Sequence, residues 1–222
     1  MADARGALES AAHFTRGGST PAPDHDATHS DRTERVATEQ TRLVQWAREN
    51  GKLGKRLPPE LTRGGEHRVY FHKRLQRYFK SNLLERQLGY GISLGSYSRG
   101  ATPSEYLDRL SLQNSIFNDD IRLERIVLIG TKPVVVTSQP FIRGTSPEQS
   151  TLDEMMIEKG YVRLAEGAYC LESRGLLIFD LFPRNAIQTA TGVIFPIDPV
   201  IQRIAPDFLE FLRMDPNCIN RH

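Results

Sequence analysis

Three oxygen-bearing side chains in the last quarter of the chain have types and spacing suited to work on phosphate. In Leu176-Leu-Ile-Phe-Asp180-Leu-Phe-Pro-Arg-Asn185-Ala-Ile, an apolar strand pattern delivers an Asp, a tight loop holds Pro183, and an Asn opens a second strand. One hairpin turn later, Val193-Ile-Phe-Pro-Ile-Asp198 is another strand pattern that ends in a carboxylate. Hard cations such as Mg²⁺ take oxygen ligands, and phosphoryl transfer needs a metal that bridges phosphate oxygens. Asn185 and Asp198 are therefore candidate metal ligands from adjoining strands, and Asp180 is the candidate to orient an incoming hydroxyl or take its proton. The spacing Asp-x4-Asn is weak by itself, since it recurs at Asp215 and Asn220 with no paired strands around it. Its context gives it weight: strand, loop, strand, turn, strand, carboxylate.

Such a loop needs a scaffold, and the upstream pattern describes one. A helix is expected from about Ala37 to Asn50, stopped by Gly51, and then a basic connection through Lys52-Leu-Gly-Lys-Arg-Leu-Pro-Pro. Arg68-Val-Tyr-Phe71 and Arg77-Tyr-Phe-Lys80 read as two short strands with a turn between them. A glycine-rich stretch (Gly89, Gly91, Gly95, Gly100) precedes Thr102-Pro-Ser-Glu105, a capping box with Pro at the first helical position. Strands follow over Ile121 to Ile129 and Pro133 to Thr137, then a helix from Ser146 to Lys159. The final part is strand-rich around Ala168, Leu176, Ala186 and Val193, and closes with a helix over Pro206 to Met214. Strands, helix, strands, helix, strands is the order of an α+β fold and not of an alternating parallel sheet.

Composition sets the outer limits. With 222 residues, 39% hydrophobic and 25% charged, the chain suits one core of ordinary size. No apolar run is long enough to cross a bilayer and no secretory signal stands at the start, so a cytoplasmic location with free thiols at Cys170 and Cys218 is expected. Residues 1–37 hold almost no large apolar side chain and are expected to be a disordered tail. His25 and His29 within them are read as solvated, not as a metal pair. The net charge of +2 conceals an uneven distribution, with −3 over residues 1–40 and +8 over residues 41–90. A basic segment of that kind attracts nucleotide phosphates, nucleic acid or an acidic partner without choosing among them.

The segment Asp180 to Asp198 resembles the catalytic loop and following metal-binding Asp of protein kinases. More closely, the chain resembles the kinase-like domain found in polyvalent proteins of phages and conjugative elements. The matching phrases are Gly65-Glu-His-Arg-Val-Tyr-Phe71, Glu105-Tyr-Leu-Asp-Arg-Leu110, Asn114-Ser-Ile-Phe-Asn-Asp-Asp-Ile121, Val136-Thr-Ser-Gln-Pro-Phe-Ile142 and Pro196-Ile-Asp198-Pro. Together they cover about residues 62–202 in the right order. The resemblance implies a minimal protein-kinase-like fold: an antiparallel N-lobe sheet with one helix, and a reduced C-lobe. With that likeness over 62–202 as the kinase-like domain, composition and pattern give a disordered tail over 1–37, a helix and basic linker over 38–61 and a C-terminal helix and tail over 203–222.

The same resemblance implies ATP and Mg²⁺ as cofactors and a hydroxyl on a protein or small molecule as acceptor. Gly64, Gly65 and Val69 would form a short glycine-rich loop over the phosphates, where backbone N–H groups must come close. Lys80 would contact the phosphates, and the segment from Gln139 through Phe141 to Ile142 would be the hinge beside adenine. Asp180 would be the catalytic Asp, with Asn185 and Asp198 on the metal. Glu105 is the candidate helix carboxylate for Lys80, although the capping box already accounts for a Glu there, and Asp108 is the second choice. Phe182 stands where many Ser/Thr kinases carry Lys, and Arg184 is the candidate to compensate. Only 24 residues follow Asp198, too few for a long activation segment and helical substrate platform. Two other readings stay open: a pseudokinase that binds without turnover, and a basic nucleic-acid-binding protein using residues 41–90.

Overall fold

The computed structural model describes residues 4–20, 29–84, 89–94, 99–215 and 219, which fall into two compact units. The first takes the chain up to Ser93 together with Arg99–Phe141, and the second takes Leu94 and the chain from Ile142 onward. Gly95 of the glycine-rich stretch, His25 and Cys218 lie outside the described residues.

The first unit begins where disorder was expected, and the structure corrects that reading. Helix α1 (Ala4–Thr15) and helix α2 (His29–Glu49) are both formed. Ala7, Leu8, Ala11, Ala12 and Thr15 share one face of α1 and are 7% exposed or less. Their spacing is a helical stripe written in small residues, and alanine is the best helix former. An inventory of large apolar side chains misses such a stripe, yet small side chains let helices approach closely. Leu43, Trp46 and Ala47 of α2 join the same core, and Gly51, with φ +65°, ends that helix as expected.

A six-stranded sheet lies against these helices in the order β1 (Leu53–Gly54), β7 (Arg122–Ile129), β8 (Lys132–Pro140), β4 (Arg77–Asn82), β3 (His67–His72), β2 (Thr62–Arg63). The pairs are antiparallel, as expected of the N-terminal sheet, apart from β1, which runs parallel to β7. A small ladder of β5 (Ile92–Ser93) and β6 (Arg99–Gly100) precedes α3 (Pro103–Phe117). The capping box read from Thr102 and Glu105 is present, and Asn118 closes α3 in the left-handed conformation. Tyr106, Leu107 and Leu110 of α3 meet Leu8, Trp46, Leu123, Ile126 and Val135 in one buried cluster. A smaller cluster on Phe79, Val127 and Val136 has the partly buried Leu57 of the basic connection after α2 packed against it.

The second unit is built on a four-stranded antiparallel sheet in the order β14 (Val200–Arg203), β11 (Leu176–Phe179), β10 (Ala168–Leu171), β9 (Val162–Ala165). Its inner strand β11 is apolar at every position and 4% exposed or less, as a strand covered on both faces must be. Helix α4 (Gln149–Glu158), the hairpin β12 (Ala186–Gln188) and β13 (Ile194–Pro196), and α5 (Pro206–Met214) complete it. Cys170 is buried in β10 with a free thiol that burial pushes up in pKa, so it is a core residue as expected. The α+β class read from the order of elements holds. Among the described residues no helix is long and apolar enough to cross a membrane.

Candidate active site

In the first unit, Gly64 and Gly65 sit in the hairpin between β2 and β3, where the Gly64 N–H donates to the His67 carbonyl at 2.9 Å. A Cβ on Gly65 would meet nothing within 4 Å, so the space beside this turn is open. Val69 on β3 stands directly opposite Lys80 on β4, and Lys80 opposite Thr137 on β8. Cross-strand partners share a face. Leu123, opposite Thr137, belongs to the cluster built with α3, so Lys80 stands on the face that α3 covers. Lys80 is only 9% exposed, whereas Lys73 falls in the turn after β3 and is exposed.

Beside Lys80 lies a buried acid that the sequence reading passed over. Asp119, 3% exposed, follows the left-handed Asn118 at the end of α3. Its Oδ2 accepts from Gln113 Nε2 at 2.8 Å and from Gln139 Nε2 at 2.7 Å, and its Oδ1 accepts the Asp120 N–H at 2.8 Å. Burial pushes its pKa above the ordinary value; the three hydrogen bonds and the Lys80 charge pull it back only in part. Asp120 shows the opposite outcome. Burial pushes it up, but Arg122 and Arg77 outweigh that and leave it below the ordinary value. The phrase Asn114 to Ile121 contained Asp119, and its position just past a helix end was the available signal.

Two expectations for this unit meet competing contacts. Glu105 closes the capping box through the Thr102 N–H at 2.9 Å and receives Arg32 Nη2 at 2.5 Å. Asp108 receives Arg16. Both α3 carboxylates considered for Lys80 thus face the N-terminal helical segment, which composition had assigned to disorder. At the hinge, the Phe141 N–H donates to the Gln76 carbonyl at 2.9 Å, and its ring packs on Phe71 and Tyr78. Within the segment read as the hinge beside adenine, that N–H therefore has a protein acceptor, and the Gln139 amide is turned to Asp119.

In the second unit, β11 ends at Phe179 and the next residue, Asp180, takes φ +57°. A left-handed conformation outside glycine is uncommon, though Asp tolerates it better than most residues. The buried Leu181 holds it there, its N–H donating to the Gly167 carbonyl at 3.1 Å. Phe182 then packs its ring against Gly167: a Cβ on that glycine would come within 2.9 Å of the ring. A short 3₁₀ turn, Pro183–Asn185, brings the chain back, and Asn185 Nδ2 donates to the Asp180 carbonyl at 2.8 Å. That bond fixes which way the amide faces and leaves Oδ1 as its acceptor. The Asn185 carbonyl accepts the Ile197 N–H at 2.8 Å, so Asp198 is anchored in sequence right beside Asn185. Arg184 Nη2 lies 2.8 Å from Asp180 Oδ1 with its guanidinium carbon 4.4 Å from the Phe182 ring centroid. These hydrogen bonds bring the backbone of Asp180, Asn185 and the strand leading to Asp198 together. Among the described residues no group of three His, Cys, Asp or Glu side chains is placed to hold a metal.

A family model described as Serine/Threonine/Tyrosine Kinase found in polyvalent proteins matches residues 36–204, well over half of the chain. The chain belongs to that family. The match starts inside α2, upstream of the boundary near residue 62 expected from sequence. Comparison with curated proteins and with solved structures finds no match.

Proposed function

We propose that this member of the polyvalent-protein kinase family is a phosphotransferase that moves the γ-phosphate of ATP, with Mg²⁺, to a hydroxyl acceptor. The observation that carries the reading is the closed loop in which Asn185 binds the Asp180 backbone while its own carbonyl holds the strand leading to Asp198. An amide oxygen and one carboxylate suit Mg²⁺, which takes one or two carboxylates and completes its shell with phosphates and water. Bound there, the ion would neutralise charge on the phosphates.

The chain's own groups divide the remaining work. Asp180, its side chain about two-fifths exposed, is available to orient a hydroxyl and take its proton. Arg184 holds one fork of its guanidinium against Asp180 over the Phe182 ring. A guanidinium has five N–H donors, so others remain for a phosphate oxygen, which supplies what a Lys at position 182 would have given. Lys80, nearly buried beside Val69, is the phosphate-binding lysine of this reading, and the open hairpin at Gly64 and Gly65 the phosphate loop.

Thermal unfolding with and without ATP and Mg²⁺ tests this, with ³²P transfer followed alongside. A ligand at 100 times its Kd adds about 2.7 kcal/mol of stability. Wild type is expected to gain stability, Asp198→Asn to lose the Mg²⁺-dependent part, and Lys80→Ala to lose most of the gain. Binding without transfer to protein or small hydroxyl acceptors leaves a nucleotide-binding module. No stabilisation of any form sinks the ATP site.

A further inference from the structure

We propose that Asp119 is the positioning residue for Lys80, and that one buried carboxylate ties this lysine to Gln139 on β8 and to Gln113 on α3. The proposal rests on the ATP-site reading of Lys80 and identifies what holds that lysine in place.

Three observations lead to it. First, a lysine 9% exposed needs compensation for its buried charge, and an isolated buried ammonium is costly. Second, the α3 carboxylates that could have served are committed, Glu105 to Arg32 and the helix cap, Asp108 to Arg16. Third, Asp119 reaches the lysine's surroundings from below. Gln139 lies two residues beyond Thr137 on β8, hence on the same face as Lys80 and diagonal to it. Its amide is 2.7 Å from Asp119 Oδ2, which also takes Gln113. The Lys80 ammonium is also near enough to favour the ionised form of Asp119.

The arrangement has a consequence for α3. Both α3 carboxylates considered for the lysine have arginine partners, Glu105 with Arg32 and Asp108 with Arg16. Gln113 on its last turns holds Asp119, and Asp119 holds Lys80, so a shift of α3 along its axis would be passed on through one amide. The same acid fixes the Gln139 side chain, at the strand end from which the hinge segment departs. Lysine and hinge therefore share one anchor.

Asp119→Asn removes the charge and keeps the shape, and either glutamine can turn its amide to satisfy the new NH₂ group. Thermal unfolding of the variant checks that it folds. Two readouts then follow on the full chain. Amine labelling of Lys80, mapped by mass spectrometry without nucleotide and referenced to the exposed Lys132, should rise about threefold or more in Asp119→Asn and stay level in Glu105→Gln, because only the first frees the ammonium. ATP binding should weaken about tenfold in Asp119→Asn, and in a Lys80→Gln background the same change should cost less than about twofold, since the two act as one unit. Unchanged labelling, or an equal cost in both backgrounds, overturns the proposal. Labelling that responds to Glu105→Gln instead overturns it as well. If wild type binds no ATP yet labelling responds to Asp119→Asn, the ATP reading falls and the Asp119–Lys80 pairing stands.

Discussion

Leu8→Ala tests whether the N-terminal helix belongs to the folded domain. Leu8 is fully buried, and the cluster it enters contains Trp46, Leu107, Leu110 and Ile126. Truncation to Ala removes three carbons and leaves a cavity, which in a rigid core costs about 2–5 kcal/mol. With small neighbours at Ala11 and Ala12, α1 can settle partway into the gap. A loss of about 2–3 kcal/mol follows, from the lower half of that range. For a chain of this size each kcal/mol shifts Tm by about 2–4 °C, which places the drop at about 4–12 °C. Thermal unfolding followed by circular dichroism measures it, and a urea titration gives the free energy directly. The control is His13→Ala on the exposed face of the same helix, expected within about 0.5 kcal/mol of wild type. Equal behaviour of the two variants would refute the reasoning. It would mean that α1 adds nothing to the core and that composition had judged residues 1–37 correctly.

Three further outcomes are expected. Glu105→Gln keeps an oxygen for the capping box but loses the charge opposite Arg32, whose side chain is 7% exposed, so stability should fall by about 1–3 kcal/mol in denaturant titration. Gly167→Ala puts a Cβ 2.9 Å from the Phe182 ring at a φ of +68°, so stability should drop by about 1–3 kcal/mol, and phosphotransfer should fall as Phe182 and Arg184 are displaced. The two neighbouring aspartates should move the pH profile in opposite directions. Asp120 has a depressed pKa, so its contribution is complete above the ordinary value of 3.8 and is lost as pH falls through its folded value. Asp120→Asn should therefore flatten the acid limb of a stability–pH curve. Asp119 has a raised pKa, so its contribution is complete below 3.8 and is lost as pH rises through its folded value. Asp119→Asn should remove that pH dependence, and at neutral pH it should lower stability by leaving the Lys80 ammonium without its carboxylate. Denaturant midpoints measured from acid to neutral pH separate the two.

Much of the scaffold could be read from local signals, because those signals act over a few residues. The capping box at Thr102 and Glu105, the turn at Gly130 with φ +60°, and α5 over Pro206–Met214 all stand where the sequence put them. The short strands β2, β5 and β6, two residues each, left no pattern to detect. Each is defined by the strand it pairs with, not by its own residues.

The candidate site divides along the same line. Sequence alone determined the loop from Asp180 to Asn185 and its link to Asp198, because a strand, a Pro-bearing turn and a hairpin are contiguous and their hydrogen bonds join near neighbours. Sequence also fixed the family, through phrases in a set order. Only the tertiary structure decided which acid stands beside Lys80. Asp119 is 39 positions further along the chain and comes near through β8 and the end of α3, while the two closer candidates are taken up by Arg16 and Arg32. Those arginines belong to a segment whose composition argued for disorder. Its alanine stripe becomes a core face only when α3 and the sheet are present to cover it, and burial against distant partners is the one property that no local spacing carries.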